Sequence, residues 1–386
     1  MPRVVFFGYP ARGHTSPTLS IVAEFVRRGV EVDYHSAPAF QTAVETAGAR
    51  FFAYPRGYEA LLATPANSEE HLAQVLGATL NLLPPMIEAL DPRPDLVLFD
   101  ASALWGGLAA RRLGLPCVAS ITTFAMNRPM LSMIGAPRPA PWGEPILERL
   151  NAEHGANLRD HLDLMVPAAD LKFVYAARSF QPAGRFVDSS YLFLGPQFGQ
   201  RAGDGAGVDP AGSRPLAYVS LGTIFQDHAL LLLISQVLAT HGWQVVVSLG
   251  DAAATQRRAW PEHVEAHAFV DQIAVLKQAK LFVTHGGMNS VSEALAHAVP
   301  MIVIPQAVDQ HLVARQTANL GAAVAIEPGA VSTETLGQAL ARIEDERAAF
   351  EAACTSLQQS FTQVQGVADA VDQALALIQQ DQVPLG

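Results

Sequence analysis

Short apolar runs alternate with amphipathic stretches along almost the whole chain, and that alternation leaves few folds open. Val4 to Phe7 reads as a buried strand, Gly8 to Ser16 as a loop, and Pro17 to Arg28 as a helix with Leu19, Val22, Ala23 and Val26 on one face, stopped by Gly29. Glu31 to His35, Ala39 to Ala47 and Arg50 to Ala53 continue as strand, helix and strand. A longer helix around Glu69 to Leu90 follows, then a strand from Asp95 to Asp100, a helix from Ala103 to Leu113 and a strand from Pro116 to Ser120. Strands separated by helices at this spacing specify a parallel, doubly wound α/β sheet.

The pattern breaks twice. Thr122 to Glu144 has little periodicity, and a long irregular stretch of this kind is usually functional or mobile. Gly199 to Gly212, rich in small and turn-forming residues, reads as a linker. Beyond it the alternation restarts with strands at Leu216 to Leu221, Gln244 to Leu249 and Ala266 to Val270, and helices at Ala229 to Thr240 and Gln272 to Gln278. At 386 residues the chain exceeds one ordinary core. The expected division is a first domain over 1–198, a linker over 199–214, a second domain over 215–360 and a closing helix within 361–386, about Phe361 to Gln379, that folds back on the first domain.

Charge excludes one class of partner. The formal net charge is −11, so no basic face is available to neutralise phosphates, and no nucleic-acid partner is expected. Cys117 and Cys354 are far apart and read as buried, inert thiols of a reducing compartment. The opening apolar run is too short for a signal-peptide core, and no window approaches the ~18 apolar residues that make a membrane-spanning helix. A soluble cytoplasmic protein with no transmembrane segment is expected; oligomeric state is not encoded legibly.

The loop Gly8-Tyr9-Pro10-Ala11-Arg12-Gly13-His14-Thr15 has the glycine and threonine spacing of a phosphate-binding P-loop, but His14 stands where that motif demands lysine. On its own chemistry, His14 follows a strand and Asp100 ends a later strand of the same sheet, so the two can meet at its carboxyl edge. A carboxylate accepting the Nδ1 proton leaves Nε2 as a base, and histidine's ordinary pKa of ~6.5 suits that task near neutrality.

In the second half, Phe282-Val283-Thr284-His285-Gly286-Gly287-Met288-Asn289-Ser290 reads as strand, glycine turn and helix start near Asn289. Backbone N–H groups at such a helix start, with His285, Gly287, Asn289 and Ser290, make an anion site that fits a diphosphate without a metal. Glu293, one turn on, can accept hydrogen bonds from vicinal sugar hydroxyls. Thr223, in the small-residue turn Ser220 to Thr223, can touch a phosphate from the other side, and Asp309 with Gln310 suits sugar hydroxyls. The other histidines lack a third ligand at any recognisable metal spacing, so no metal site is expected.

Phe269-Val270-Asp271-Gln272, His285 to Ser290, Glu293, Val299-Pro300, Pro305 and Asp309-Gln310 together resemble the nucleotide-sugar signature of the family 1 glycosyltransferases, which include bacterial macrolide and natural-product enzymes. Gly13-His14 through Pro17, followed by a helix ending in Arg28-Gly29, is similar to the start of the same family's acceptor domain. The resemblance implies a GT-B fold, two Rossmann-like domains facing across a cleft, and inversion at the anomeric carbon.

It implies further that His14 is the general base with Asp100 as its partner. Thr223, His285, Gly287, Asn289 and Ser290 would bind the diphosphate; Phe269, Val270, Gln272 and Glu293 the base and ribose; Asp309 and Gln310 the donor sugar. Phe269 stands where many members use tryptophan, Asp271 where many have proline, and Gly286 and Met288 where plant members carry cysteine and tryptophan. These departures favour a bacterial type and leave uridine and deoxythymidine both open. The chain is also short for the family, which points to a trimmed acceptor domain.

The expected reaction is metal- and cofactor-independent transfer from a UDP- or dTDP-sugar to a hydroxyl of a small apolar acceptor. Phe124, Met126, Met130, Met133 and Trp142 offer an adaptable apolar wall for that acceptor. A nucleotide-sugar epimerase or hydrolase on the same scaffold, or a binding protein without catalysis, are the alternatives.

Overall fold

Every strand pairing in the computed structural model is parallel among the residues it describes, which are 1–63, 65, 67–136, 138–198, 213–222, 227–250, 260–306 and 309–381. The linker read at Gly199 to Gly212 lies outside them, as does Thr223. The chain divides into two units, Met1–Gly199 with Val364–Gly386, and Gln200–Gln363.

The first unit runs β1 (Arg3–Phe7), α1 (Arg12–Arg27), β2 (Glu31–Ser36), α2 (Gln41–Thr46), β3 (Arg50–Ala53), α3 (Ser68–Glu88), β4 (Leu96–Asp100), α4 (Leu104–Arg112), β5 (Cys117–Ile121), α5 (Arg128–Ile134), α6 (Glu144–His154), β6 (Leu171–Val174) and β7 (Tyr191–Phe193). Its sheet order is β3-β2-β1-β4-β5-β6-β7. The strands are apolar on both faces because both are covered. Val5, Phe7, Val97 and Phe99 face α3 and α4, where Leu76, Leu82, Trp105 and Ala109 complete one core. The alternate residues Val4, Phe6, Leu96 and Leu98 face Ile21, Val22 and Phe25 of α1.

The second unit runs β8 (Leu216–Ser220), α7 (His228–Thr240), β9 (Gln244–Ser248), β10 (Val264–His267), α8 (Gln272–Leu276), β11 (Leu281–Thr284), α9 (Met288–Ala296), β12 (Met301–Val303), α10 (Gln310–Asn319), β13 (Ala323–Ala325), α11 (Thr333–Asp345) and α12 (Arg347–Ser360). Its order is β10-β9-β8-β11-β12-β13. Val219, Val247, Val283 and Ile302 pack there against Leu231, Ile234 and Leu238 of α7 and Leu336 and Leu340 of α11.

In both sheets the direction of winding reverses beside the first strand, between β1 and β4 and again between β8 and β11. Open α/β sheets bind ligands outside the carboxyl ends of the strands at such a point. The two βα turns that the sequence marked leave β1 and β11 there.

Four local expectations change. α1 begins at Arg12, so His14 lies in a helix rather than a loop, and Pro17 is interior to that helix. The irregular stretch after β5 contains α5, started by Asn127, whose side chain accepts from the Met130 N–H at 2.9 Å. β10 ends at His267, short of Val270. The closing segment is not one helix from Phe361: α12 ends at Ser360 and a last helix, α13 (Val367–Asp381), starts after Gly366. α13 sets Ala370, Val371 and Ala374 among the α1-side core of the first unit, and Asp372 pairs with Arg28. Among the described residues no helix is long and apolar enough to cross a membrane.

His35, at the end of β2, is 6% exposed and lies against the rings of Phe7, Phe52 and Tyr54. Burial pushes its pKa down to about 4, with Asp33 opposing. The unfolded chain therefore binds more protons between pH 6.5 and 4, and stability falls as pH falls through that window. For this one group the loss is up to about 3 kcal/mol. His35→Gln should flatten the fall in unfolding free energy between pH 7 and 4.5, measured by denaturant titration at each pH.

Candidate active site

Two arrangements of polar side chains occupy the two reversal points. In the first unit, α1 opens with no side-chain cap and no acid in its first turn. That turn carries His14 over the end of β4. His14 Nδ1 stands 2.9 Å from Asp100 Oδ2 and 3.2 Å from the Thr122 hydroxyl. Asp100 is 1% exposed, and its other oxygen accepts from the Ser102 N–H at 2.8 Å. The ring's Nδ1–H donates to the carboxylate, which makes Nε2 the basic nitrogen of a ring that is 25% exposed.

Aromatic residues fix this pair from one side. Tyr9, 5% exposed, lies 4.7 Å from the His14 ring, and His71 of α3 meets Tyr9 edge-on at 6.1 Å. Burial raises the Tyr9 phenol well above its ordinary range, with the Asp100 charge adding to it. Burial, then the charge of His14, lowers His71 to about 4, so His71 is neutral at neutral pH. The loop before α1 is braced from below: the Tyr54 hydroxyl donates to the Gly8 carbonyl at 2.9 Å and accepts from the Trp105 indole at 3.2 Å.

In the second unit, the turn between β11 and α9 is shaped around an imidazole. A Cβ on Gly287 would stand 2.6 Å from His285 Nε2, and one on Gly222, whose φ is +82°, 2.9 Å from Cε1. A side chain at either place would displace the imidazole, and at Gly222 it would also strain a left-handed backbone. Burial lowers His285 to about 4, with a hydrogen bond to the Ser220 main chain opposing, so the ring is neutral at neutral pH. Gly287 caps α9 without a side chain, and the first turn holds no acid, which suits an anionic ligand at its N–H groups.

Behind that turn, Gln272 Nε2 lies 2.5 Å from Glu293 Oε2 and 3.4 Å from Ser290 Oγ. Gln310 packs beside Gly286, and its Oε1 accepts from the Gln306 N–H at 2.8 Å. Asp309 precedes α10 and its carbonyl accepts from Leu312 and Val313. Asn289 lies in the first turn of α9 and is half-buried. Phe269 is 44% exposed and Val270 pairs as a single bridge just before α8. Among the described residues no group of three or more His, Cys, Asp and Glu is gathered to hold a metal ion.

The apolar set after β5 separates into different environments. Phe124 and Met130 are 1% exposed in the core, Phe124 against Phe180. Met126 is half-buried and its carbonyl accepts from the Tyr191 hydroxyl, whereas Trp142 is 50% exposed. The side chain of Met133 lies outside the described residues.

Sequence reasoning did not single out Thr122, Tyr9, His71 or Tyr218. Thr122 had a usable signal: it is the polar residue just past β5, the strand paired with β4. His71 had none, since a histidine on a long amphipathic helix carries no spacing signature.

The model for the erythromycin biosynthesis protein CIII-like C-terminal domain matches residues 232–370. The chain is 30% identical to the uncharacterised UDP-glucosyltransferase YojK of Bacillus subtilis (strain 168), over 98% of each chain. It is also 30% identical to the demethyllactenocin mycarosyltransferase of Streptomyces fradiae, over 89% of this chain and 79% of that one. The crystal structure of the glycotransferase of kitacinnamycin superposes with a TM-score of 0.83 at 29% identity, covering 98% of this chain and 100% of the other.

Tyr54→Phe removes one hydroxyl and leaves both the Gly8 carbonyl and the buried Trp105 N–H without their bond. The expected cost is about 1–3 kcal/mol, measured by denaturant unfolding at pH 7.

Proposed function

The chain belongs to the family 1 glycosyltransferases of GT-B fold, and on that premise we propose that it moves a sugar from a UDP- or dTDP-sugar to a hydroxyl of a small, largely apolar natural-product acceptor, with inversion and without a metal. The relatives support transfer of the macrolide type. The observation that carries the chemical reading is the 2.9 Å contact between His14 Nδ1 and Asp100 at the first reversal point. A base held in one tautomer by a buried carboxyl is what deprotonation of an attacking hydroxyl requires.

In this reading His14 Nε2 takes the acceptor proton as the oxygen attacks the anomeric carbon, and Asp100 offsets the positive charge that forms on the ring. Attack from the face opposite the diphosphate gives inversion. The leaving diphosphate gathers negative charge as the glycosidic bond breaks. The N–H groups opening α9, with Asn289, Ser290 and His285 beside them, meet that charge in this reading, the task a metal performs elsewhere. Gln272 and Glu293 take the ribose, Phe269 and Val270 the base, and Asp309 with Gln310 the sugar. Trp142, the exposed member of the apolar set among its described side chains, is the one of these best placed to touch an acceptor.

A mass-spectrometric assay of UDP- and dTDP-sugars against a panel of apolar hydroxylated aglycones tests the reading. His14→Ala should lower transfer by ~10²–10⁴-fold while nucleoside diphosphate binding, measured by calorimetry, is retained. Unchanged turnover would remove His14 from the role of base. Transfer should survive EDTA, and its loss there would overturn metal independence. Donor incubated alone separates the alternatives, since an epimerase or hydrolase converts it without an acceptor. Asp100→Asn keeps the shape of the side chain but not its charge, and should lower kcat more than it raises the acceptor KM.

A further inference from the structure

A line of buried side chains runs through the second unit behind the turn that carries His285. Tyr218, in the middle of β8, is 1% exposed and stacks on Phe282 of β11 with ring centroids 4.9 Å apart and planes 11° from parallel. Its hydroxyl stands 3.2 Å from Gln272 Oε1, and Gln272 Nε2 stands 2.5 Å from Glu293 Oε2. Gln272 is 5% exposed and Glu293 4%.

The chemistry of these groups fixes the direction of every bond. A carboxylate oxygen only accepts, so the amide must present Nε2 to Glu293. That leaves Oε1 at the other end needing a donor, in a place where water is scarce. The phenol supplies it. Tyr218 itself cannot turn aside, because its buried ring is held flat against Phe282.

We propose that Tyr218 is a positioning residue of the nucleotide site: by donating to Gln272 Oε1 it holds the Gln272 amide against Glu293, and so holds the carboxylate in one orientation toward the ribose. The inference rests on the reading above that Gln272 and Glu293 serve the ribose. It adds a residue of the β8 interior that never touches the ligand. Without the hydroxyl, Gln272 Oε1 is buried with no donor, and the amide gains by swinging away to find one. Glu293 then loses its bond to the Gln272 amide.

Calorimetry on the full chain with UDP and with deoxythymidine diphosphate tests this, using Tyr218→Phe, Gln272→Ala, the double variant and Glu293→Gln. Tyr218→Phe keeps the ring and its stacking. It should weaken binding of the tighter of the two nucleotides about three- to tenfold. In the Gln272→Ala background the same change should have no further effect, because Tyr218 acts through Gln272. Glu293→Gln should weaken binding as well.

An equal loss from Tyr218→Phe in both backgrounds would show a general effect on the fold and overturn the proposal. So would unchanged affinity in Tyr218→Phe while Glu293→Gln binds weakly, which leaves the ribose reading standing. Unchanged affinity in Glu293→Gln would overturn the ribose reading itself, and the positioning role with it.

Discussion

A carboxyl group at 1% exposure is costly unless its oxygens are bonded, and the first unit is built round the way Asp100 is satisfied. One oxygen takes a main-chain N–H two residues on; the other takes an imidazole from a different βα turn. For that imidazole to arrive, the loop after β1 must be short, the next helix must begin early, and the chain between must be anchored. Tyr54, just past β3, anchors it with Trp105 of α4 behind, and Tyr9 of the loop itself packs on the His14 ring. The same burial that makes Asp100 expensive makes its contact with His14 worth more than it would be in water. Stability and reactivity therefore draw on one interaction.

The two sheets solve a common problem in the same way. Each places its first strand next to its fourth, and each sets a histidine just past the carboxyl end of one of those two strands. The difference lies in what surrounds the ring. His14 has a carboxyl partner and a quarter of its side chain exposed. Among the described residues no acid bears on His285, and burial keeps it neutral. Environment, not residue type, separates a ring held against a carboxyl from one that burial keeps neutral.

Much of this was legible in the sequence because it depends on period and on strand ends. The parallel sheets follow from apolar runs such as Val4 to Phe7 and Leu281 to Thr284, and the meeting of His14 with Asp100 follows from Asp100 ending β4 and His14 lying in the turn that leaves β1, its neighbour in the sheet. The start of α1 was not legible. Proline favours the first turn of a helix, so Pro17 pulled the reading of the start toward itself, yet this helix tolerates it one turn in. Strand β10 was misread toward its C-terminus because Val264-Glu265-Ala266-His267 is half-buried throughout and lacks an apolar run, while Phe269-Val270 just beyond it supplies apolar residues. The separation of α12 from α13 hung on Gly366, a single residue in a region of otherwise continuous helical propensity. Contacts across sequence, such as Tyr9 with His71 or Tyr218 with Gln272, have no periodic signature at all.

The fit of Gly222 and Gly287 around His285 also sets how this unit can diversify. At those two positions every substitution adds an atom where the imidazole already stands, so the turn has no small variations to explore. Phe269, on the surface and 44% exposed, is under no such restriction. A change at Phe269 therefore meets solvent, whereas a side chain at either glycine has to move a buried ring.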